Sequence, residues 1–533
     1  MVGDSIDAKK IDDLARALAR PEAWPACTTD VEAIQTHISH VFLVGERVYK
    51  LRKNVELPFL DFSTRDRRNA DCQNEVELNR RLAPDVYLGI APILQDAAQV
   101  HVGPVVVSMD AALPDPNVEH VVVMRRLPAG HDVLSMLERG TLEVRHLEAI
   151  AERLTDFHAA HGLGRPAPWS APDWQERIRE PVVACLESLA ESKMLPADRL
   201  AELESKTRER LAVLEPRFES RRTDGRAVDA HGDLHLDHVW FEDGSDAPLI
   251  IDCIEFSEDL RHIDTASEVA FLAMDLRYRG RDDLAEAFLH AYASRTDDYD
   301  LFGTVDFYSA YRALVRAKVA ALASLQTSID PGQQAKARAS AENHVALAER
   351  CLETSASDGL IVLCGTVGSG KSTVARGLAL AGHGIPIASD RVRKALAGLS
   401  ATTHSGTATD EGIYRPEQTD AVYEALLERA DSVTQSGRTA ILDASFATRE
   451  RRDAVRRWAA ERGLPIRLVE VRCDREIALS RLEQRERRGL DPSDAGPDFL
   501  ATSESRFEPP NEWPASDRQI IWSSSAPPAS SRA

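Results

Sequence analysis

Residues 365–373, GTVGSGKST, have the types and spacing that bind a phosphate group. They match the pattern G-x-x-x-x-G-K-S/T, follow the apolar run Leu360–Cys364 and precede a helical pattern. Glycines let backbone N–H groups surround an anion, and the following helix directs its positive end at that anion. The lysine can reach the terminal phosphates, and the serine hydroxyl can hold Mg²⁺. The pattern therefore predicts a nucleoside triphosphate site made by Gly365, Gly368, Gly370, Lys371, Ser372 and Thr373.

Two aspartates end apolar stretches of the same C-terminal region, Asp390 in IASDRVRKAL and Asp443 in AILDASF. Parallel α/β sheets bind their ligands at the carboxyl ends of the strands, so both side chains are candidates for the site. We expect Asp443 to hold magnesium through water and Asp390 to take the proton of an acceptor hydroxyl. A helix N-cap is the structural alternative for either aspartate.

An arginine-rich run, SRLEQRERRG, follows in the same region and predicts a helix. Arg481, Arg485 and Arg488 share one face of this helix because they are spaced by four and three residues. A solvated basic face is one interpretation. The other is a mobile lid that brings Arg481 and Arg485 onto the triphosphate, and both interpretations stay open.

A second group of chemically active residues lies in 231–256, HGDLHLDHVWFEDGSDAPLIIDCIEF. Its middle predicts a hairpin, with an apolar strand on each side of an EDGSDAP turn. Because a hairpin folds back on itself, Asp252 should return close to Asp233 and His238. Two carboxylates at one end of a hairpin suit a hydroxyl proton and a divalent cation, which is the arrangement that kinases use.

The same stretch allows a rival interpretation as a transition-metal site. Five potential ligands crowd eight residues and could converge on zinc if the segment is a loop. No distant Cys or His pair with ligand spacing supports zinc, and purely structural histidines are a third interpretation. The five residues are His231, Asp233, His235, Asp237 and His238.

Upstream, the stretch ERVYKLRK predicts a strand in which Lys50 lies on the same face as Val48. A lysine that points with apolar side chains is costly unless it meets an anion. Glu75, in the helical stretch CQNEVELNRRL, is its expected ion-pair partner. Residues 118–130, VEHVVVMRRLPAG, resemble the strand and hinge that would hold adenine.

The elements that must position the C-terminal residues alternate between strand and helix, as a parallel α/β sheet requires. Strands are predicted at Leu360–Cys364, Ile385–Ala388, Thr439–Leu442, Ile466–Val471 and Gln519–Trp522. Helices are predicted to begin at Ser372, Arg391, Gln418, Arg449 and Arg475.

Together, VYKLRK, NEVELNRRLAP, VVVMRRLPAG, HGDLH and IDCIEF resemble the aminoglycoside phosphotransferase-like branch of the protein-kinase fold, over about residues 36–325. The resemblance implies that Lys50 touches the α- and β-phosphates of ATP and that Glu75 orients this lysine. It also implies that Asp233 is the catalytic base and that Asp252 holds a metal ion.

The chain departs from the pattern of that family at two places. The family usually has Asn five residues after the catalytic Asp, where this chain has His238, and a Gly-rich loop where this chain has THISHVF. Magnesium prefers oxygen ligands, whereas imidazole suits softer ions such as Mn²⁺. Either His238 binds a different metal together with Asp252, or Asp237 contributes, or the domain is a weakened kinase.

GTVGSGKST, IASDRVRKAL, ILDASF and RLEQRERRG together resemble the small P-loop kinases that include gluconate kinase, zeta toxin and the kinase domain of polynucleotide kinase. The resemblance covers roughly residues 358–523 and implies γ-phosphate transfer to a small hydroxyl acceptor, with Asp390 as base. The predicted fold class is therefore α/β and α+β multidomain. It combines an N-terminal bilobal, protein-kinase-like domain with a C-terminal P-loop NTPase domain of parallel sheet and flanking helices.

Residues 328–359 read as a turn, an Ala-rich helix and a polar linker ahead of the P-loop strand, which predicts the main domain boundary there. The final SSSAPPASSRA is of low complexity and is predicted to be disordered. The predicted segments are an N-terminal helical extension (1–35), a phosphotransferase-like kinase domain (36–354), a linker (355–358), a P-loop kinase domain (359–523) and a disordered tail (524–533).

The composition disfavours several classes of partner. No apolar run approaches the roughly 18 residues of a membrane span, and the N-terminal stretch lacks the pattern of a secretion signal. The 65 Lys+Arg against 86 Asp+Glu give a net charge of −21, which repels polyanions, so no nucleic acid partner is expected. The seven cysteines are scattered without C-x-x-C, which favours reduced thiols and a cytoplasmic location.

These observations predict an ATP-dependent kinase with two nucleotide sites. It would transfer the γ-phosphate of ATP to a hydroxyl of a small metabolite, using an aspartate base and Mg²⁺, with Mn²⁺ as an option at the N-terminal site. One alternative is a nucleotide-binding regulatory protein with a weakened N-terminal kinase domain. Another is a zeta-toxin-like kinase of nucleotide sugars. The acceptor, the coupling between the sites and the oligomeric state correspond to no pattern in the sequence.

Overall fold

The chain folds into two compact units in a computed structural model. The first unit comprises Met1–Arg177 with Ser220–Asp275, and the second comprises Ile178–Glu219 with Leu276–Ala533. Each helix among the described residues is too short or too polar to span a lipid bilayer. The described residues are 2–24, 30–57, 60–96, 99–108, 115–326, 330–354, 356–399, 403, 412–488 and 496–523.

The first unit is built on an antiparallel sheet. Its strands are β1 (Val31–Gln35), β2 (Ser39–Val44), β3 (Arg47–Arg52), β4 (Glu56–Leu57), β5 (Leu60–Asp61), β6 (Tyr87–Gln95), β7 (Val100–Val102) and β8 (His120–Arg125). The six-stranded sheet has the order β1-β2-β3-β8-β6-β7, and β4 pairs with β5 alone. The central strand β3 therefore has neighbours on both sides, which fixes the direction of its side chains.

The two faces of β3 pack against different helices. Tyr49 and Leu51 share a core with Ile11 of helix α1 (Val2–Leu18). On the opposite face, Val48 packs against the cluster that contains Val76 of helix α2 (Arg65–Asn79). Because side chains alternate along a strand, β3 turns Lys50 toward α2.

The predicted hairpin after HGDLH is confirmed. It consists of β10 (Val239–Trp240) and β11 (Leu249–Ile250), paired antiparallel with Val239 opposite Ile250. A 3₁₀ turn, Leu236–His238, leads directly into β10. Just outside the hairpin, β9 (Ala227–Asp229) pairs with β12 (His262–Asp264). The ends of the hairpin therefore bring the HGDLH segment and Asp252 to the same place.

Helices make up most of the chain between β8 and the C-terminal sheet. The predicted Ala-rich helix is confirmed as the last of them, and Asp330 caps its start by accepting from the N–H groups of Gly332 and Gln333. These helices are α3 (Val133–Glu138), α4 (Val144–Ala160), α5 (Ala171–Ser192), α6 (Ala197–Thr223), α7 (Glu258–Arg261), α8 (Thr265–Tyr278), α9 (Asp282–Thr296), α10 (Val305–Ser324) and α11 (Pro331–Leu352).

A parallel sheet of five strands completes the second unit. Its strands are β13 (Leu360–Cys364), β14 (Ile385–Ala388), β15 (Ala440–Asp443), β16 (Ile466–Arg472) and β17 (Arg518–Trp522). Their order in the sheet is β14-β15-β13-β16-β17. The surrounding helices are α12 (Lys371–Leu380), α13 (Ser389–Leu396), α14 (Pro416–Gln435), α15 (Arg449–Glu461), α16 (Arg475–Arg488) and α17 (Asp498–Arg506).

The five strands and five helix starts predicted for this region are confirmed to within two residues. The predicted fold class is confirmed as well, with an antiparallel N-terminal sheet and a parallel C-terminal one. The predicted tail, 524–533, and residue 355 of the predicted linker lie outside the described residues.

Candidate functional site

Lys50 joins two acidic side chains in the first unit. Its Nζ donates to Glu75 Oε1 at 2.8 Å and to Asp252 Oδ1 at 2.5 Å. The strand β3, the helix α2 and the segment that follows the hairpin each supply one member of this group. Burial disfavours the charged lysine, but Asp252 and Glu75 raise the pKa of Lys50 well above its ordinary value. The anionic partner that the sequence predicted for Lys50 lies in contact with it.

Asp252 adopts a left-handed backbone conformation, with φ of 65°. Aspartate tolerates this region better than most residues other than glycine. The backbone N–H of Asp252 donates to the Tyr87 hydroxyl at 3.1 Å, which holds the turn in place. Asp252 Oδ1 accepts a hydrogen bond from Lys50, while Asp252 Oδ2 lies 3.6 Å from Nε2 of His238. Burial opposes the charge of Asp252, yet Lys50 and His238 hold the pKa of this carboxyl well below its ordinary value.

Buried acids fix the backbone of the HGDLH segment. The N–H groups of His231 and Gly232 donate to the Glu268 carboxylate at 2.9 and 3.1 Å. The N–H of Leu236 donates to Asp275 Oδ2 at 3.1 Å. Sequence reasoning missed both acids, which lie on α8. Both acids could have been noticed in the sequence, because they interrupt the apolar helical run TASEVAFLAMDL. A carboxylate that is buried in such a helix needs hydrogen-bond donors from elsewhere in the chain.

Three of the five potential metal ligands cluster in this loop. A carboxylate oxygen of Asp233 and one ring nitrogen each of His235 and His238 all lie within 4.8 Å of one another. His231 turns away, with Nε2 2.8 Å from a backbone carbonyl oxygen, and burial lowers the pKa of His231 to about 3. Asp237 is exposed.

The donor set beside Asp252 does not fit magnesium. Mg²⁺ demands oxygen ligands in near-octahedral geometry. The imidazole of His238, with Nε2 3.6 Å from Asp252 Oδ2, stands where such a site would need another oxygen. The N-terminal site therefore differs in its donor chemistry from a magnesium site.

Arg52 is a second cation that sequence reasoning missed. It is 3% exposed and contacts Asp71 at 2.6 Å, Glu75 at 2.5 Å and Glu255 at 2.5 Å. Arg52 holds Glu75 Oε2 while Lys50 takes Oε1, so the arginine orients the carboxylate that meets the lysine. Side chains alternate along a strand, so Arg52 lies on the same face as Lys50. This alternation could have predicted from the sequence that Arg52 also points toward the site.

The P-loop connects β13 to α12 through three glycines with positive φ. The angles are 148° at Gly365, 75° at Gly368 and 95° at Gly370. A Cβ on Gly365 would lie 2.4 Å from the carbonyl oxygen of Val471 on the neighbouring strand. The loop thus needs glycine at Gly365 for space as well as for conformation.

Lys371 and the two predicted acids form one electrostatic group at the ends of β13, β14 and β15. Lys371 Nζ donates to two carbonyl oxygens of the loop, at 3.1 and 2.9 Å. Burial lowers the pKa of Lys371, although the negative charges of Asp443 and Asp390 act to raise it. Burial has the opposite effect on an acid and raises the pKa of Asp443, although a hydrogen bond from Ser372 and the charge of Lys371 oppose this rise. Ser372 and Asp443 offer only oxygen donors and fit magnesium.

Asp390 lies in the first turn of α13, and Ala388 rather than Asp390 occupies the N-cap position. The alternative interpretation of Asp390 as an N-cap therefore does not apply. Thr373, in the first turn of α12, is exposed.

One of the predicted arginines on α16 contacts the P-loop, and the charge of a second acts on its lysine. Arg481 Nη1 donates to the Gly368 carbonyl oxygen at 3.3 Å and to Ser523 Oγ at 2.8 Å. The positive charge of Arg485 contributes to the lowered pKa of Lys371. The side chain of Arg488 lies outside the described part of the structure.

The chain matches two family models, each over one of the regions just described. Residues 47–303 match the phosphotransferase enzyme family, and residues 360–510 match an AAA domain. Two mycobacterial proteins are 34% identical to the chain over 452 residues, which is 84% of this chain and 84% of theirs. They are uncharacterized protein Rv2004c of Mycobacterium tuberculosis (strain ATCC 25618 / H37Rv) and uncharacterized protein Mb2027c of Mycobacterium bovis (strain ATCC BAA-935 / AF2122/97).

Three solved structures are similar to parts of the chain. Amicoumacin kinase hAmiN is 13% identical with a TM-score of 0.37, covering 64% of this chain and 94% of its own. Plasmodium vivax ethanolamine kinase Pv091845 is 12% identical with a TM-score of 0.33, covering 58% and 81%. A gluconokinase from Sinorhizobium meliloti 1021 is 22% identical with a TM-score of 0.22, covering 31% and 82%.

Both resemblances predicted from the sequence are confirmed by the family matches. The chain belongs to the family of these mycobacterial proteins, and it joins a kinase-like phosphotransferase domain to a C-terminal P-loop kinase domain.

Proposed function

We propose that this chain is an ATP-dependent phosphotransferase with two nucleotide sites, which transfers the γ-phosphate of ATP to a hydroxyl group of a small molecule. The observation that carries the proposal is the contact of Lys50 with both Glu75 and Asp252. Lys50 and Asp252 are separated by 202 positions in the chain. In protein kinases, a strand lysine paired with a helix glutamate contacts the ATP phosphates, and a separate aspartate holds the metal ion.

In the N-terminal site, Lys50 exchanges its contact with Asp252 for the α- and β-phosphates of ATP. Glu75, itself held by Arg52, keeps the lysine directed at the phosphates. Asp233 takes the proton of the acceptor hydroxyl as the oxygen attacks the γ-phosphorus, and the bond from this phosphorus to the bridging oxygen breaks to release ADP. Its loop is suited to this role because buried acids hold the backbone on both sides of Asp233.

In the C-terminal site, the N–H groups of the P-loop and Lys371 hold the phosphates, and Asp390 takes the acceptor proton. Ser372 and Asp443 would hold Mg²⁺, which neutralises charge on the transferring group when it is bound. The hydrogen bond between Ser372 and Asp443 supports the assignment, because both side chains already face one point. Arg481 and Arg485 add positive charge beside the loop.

A nucleotide-binding regulator is the second candidate function, and one observation favours it for the N-terminal site. His238 takes a position beside Asp252 where a magnesium-dependent kinase would need an oxygen donor. In this case ATP would occupy the first unit without transfer, and turnover would belong to the P-loop site alone.

The test is ADP release from ATP against a panel of sugars, polyols, aminoglycosides and nucleosides, with Mg²⁺ or Mn²⁺. The wild type is compared with Asp233→Asn and Lys371→Ala. Asp246→Asn and Lys336→Ala are the matched controls, because both residues are exposed. We expect acceptor-dependent turnover to fall at least about a hundredfold in the variant of the working site, since a positioned base contributes about 10²–10⁴-fold. The controls should keep wild-type rates.

Full acceptor-dependent turnover in both Asp233→Asn and Lys371→Ala would contradict the proposal. ATP binding without acceptor-dependent turnover in either metal would favour the regulator instead.

A further inference from the structure

His238 is oriented by a hydrogen bond at one of its two ring nitrogens. Its Nδ1 lies 2.9 Å from the backbone carbonyl oxygen of Asp233. A carbonyl oxygen only accepts, so Nδ1 carries the proton in this contact. In the neutral ring, Nε2 then presents its lone pair. Metal-binding histidines are generally oriented by such a hydrogen bond from the other ring nitrogen.

The lone pair of His238 Nε2 faces a carboxylate. Asp252 Oδ2 lies 3.6 Å from it, while Oδ1 of the same carboxylate is engaged by Lys50. Two ligand atoms that each lie about 2.1 Å from one cation are at most about 4.2 Å apart. Nε2 and Oδ2 can therefore bind one cation with little movement.

His235 brings a second imidazole to the same place. Its ring centroid is 3.7 Å from that of His238, and its ring nitrogen belongs to the cluster whose ligand atoms lie within 4.8 Å. Its Nε2 is 3.5 Å from Asp233 Oδ2. The third member of that cluster is Asp233, so the imidazole of His235 adjoins both the His238 ring and the Asp233 carboxylate.

Nitrogen donors change which cation a site prefers. Imidazole suits the first-row transition metals, whereas magnesium prefers carboxylate, carbonyl and water oxygens. We propose that the N-terminal site selects a first-row transition cation, for which Mn²⁺ is the probe, over Mg²⁺. The ligands are His238 Nε2 and the Asp252 carboxylate, with His235 as a further nitrogen ligand.

The C-terminal site has the opposite chemistry. Ser372 and Asp443 supply a hydroxyl and a carboxylate, so that site takes magnesium. The two sites of one chain thus respond to different cations, and the supply of transition metal sets how far the N-terminal site is loaded.

The inference rests on the proposed function only where it gives the cation a part in phosphoryl transfer. Cation binding itself is measurable without nucleotide or acceptor.

The experiment is electron spin-echo envelope modulation on the full chain with less than one equivalent of Mn²⁺. A directly bound imidazole gives ¹⁴N modulation, whereas Mn²⁺ held by Ser372 and Asp443 gives none. We expect ¹⁴N modulation in the wild type, a weaker signal in His238→Asn and none in the double variant His235→Asn/His238→Asn. His101→Asn, a change on β7 outside the cluster, should leave the signal unchanged.

The affinity follows from a titration of free Mn²⁺ by electron paramagnetic resonance. We expect His238→Asn to weaken Mn²⁺ binding at this site at least about tenfold, since even changes around a metal ligand cost about 10–100-fold. About a hundredfold excess of Mg²⁺ should leave the nitrogen signal of the wild type in place.

Absence of ¹⁴N modulation in the wild type, its displacement by Mg²⁺, or full modulation in the double variant would overturn the inference. The wild-type spectrum decides the question even if a variant fails to fold, which circular dichroism would reveal. A wild type that shows the nitrogen signal but phosphorylates no acceptor would contradict the proposed function and leave the metal assignment standing.

Discussion

At the scale of single residues, the N-terminal site depends on how one carboxylate is shared. Glu75 gives Oε1 to Lys50 and Oε2 to Arg52, and its side chain is 1% exposed. A buried acid that bridges two cations holds both in place, because moving either one would leave a charge unpaired. The direction of Lys50 is therefore set by Glu75 as much as by the strand.

We expect Glu75→Gln to lower kcat/KM of the N-terminal reaction at least about tenfold, since a hydrogen bond to a charged group contributes about 1.5–3 kcal/mol. The measurement is acceptor-dependent ADP release. Glu77→Gln is the matched control, because Glu77 is exposed on the same helix. Equal rates in the two variants would remove Glu75 from the proposed mechanism.

His158, on α4, predicts a dependence of stability on pH. It is 5% exposed, and burial lowers the pKa of His158 to about 3. A histidine whose pKa is lower in the folded than in the unfolded state contributes its full stability above the unfolded-state pKa of about 6.5. This contribution is lost as the pH falls below that value. At pH 5 the loss amounts to about 2 kcal/mol.

The test compares thermal unfolding at pH 7 and pH 5. We expect His158→Gln to lose less of its Tm between these pH values than the wild type does. His101→Gln, at a less buried position, should behave as the wild type. If His158→Gln loses as much Tm between pH 7 and pH 5 as the wild type does, protonation of His158 is not the cause of the loss.

At the scale of elements, the P-loop depends on close packing between neighbouring strands. Gly365 leaves β13 where the Val471 carbonyl oxygen of β16 occupies the space that a side chain would need. Lys371 and Ser372 begin the helix that follows, so displacement of the loop moves both of these candidate site residues together.

We expect Gly365→Ala to abolish nucleotide binding at the C-terminal site, because its Cβ would lie 2.4 Å from a backbone oxygen. Isothermal titration with an ATP analogue should then report one site instead of two. Gly382→Ala is the control, since Gly382 has φ of 76° but nothing within 4 Å of a Cβ. That variant should lose about 1–2 kcal/mol of stability and keep both sites. Two sites in Gly365→Ala would contradict the role of the loop.

At the scale of the whole molecule, the second unit combines helices from the phosphotransferase region with the P-loop sheet. Arg438, just before β15, contacts Glu286 of α9 at 2.7 Å and Asp306 of α10 at 2.8 Å. Arg277 reaches the same two acids at 2.8 and 2.9 Å. These four charges connect residues on both sides of the predicted linker, 355–358.

We expect Arg438→Met to destabilise the second unit by about 1–3 kcal/mol, since it leaves two partly buried carboxylates with half of their positive partners. Differential scanning calorimetry of the full chain should show a transition at lower temperature. Arg281→Met is the control, because Arg281 pairs with Asp283 at a half-exposed position and breaks no contact between the two regions. An unchanged transition in Arg438→Met would show that this network contributes little.

Much of the fold followed from local patterns in the sequence. The P-loop, the strands around it and the starts of the helices depend on contiguous residues, whose spacing reports on the backbone directly. The face on which Lys50 lies followed from alternation along one strand. The return of Asp252 toward Asp233 followed from a short hairpin, so these parts of the candidate site were predictable.

The remaining features were decided by the packing of distant segments. Glu268 meets the HGDLH backbone from 37 positions away, and Arg52 meets Glu255 from 203 positions away. No local pattern pairs such residues, because their contact depends on how helices and strands pack rather than on spacing. By itself the sequence determined which two groups of residues are candidates for binding phosphate. The tertiary structure alone decided which acids orient them and which histidines gather beside Asp252, since only folding brings those atoms within bonding distance.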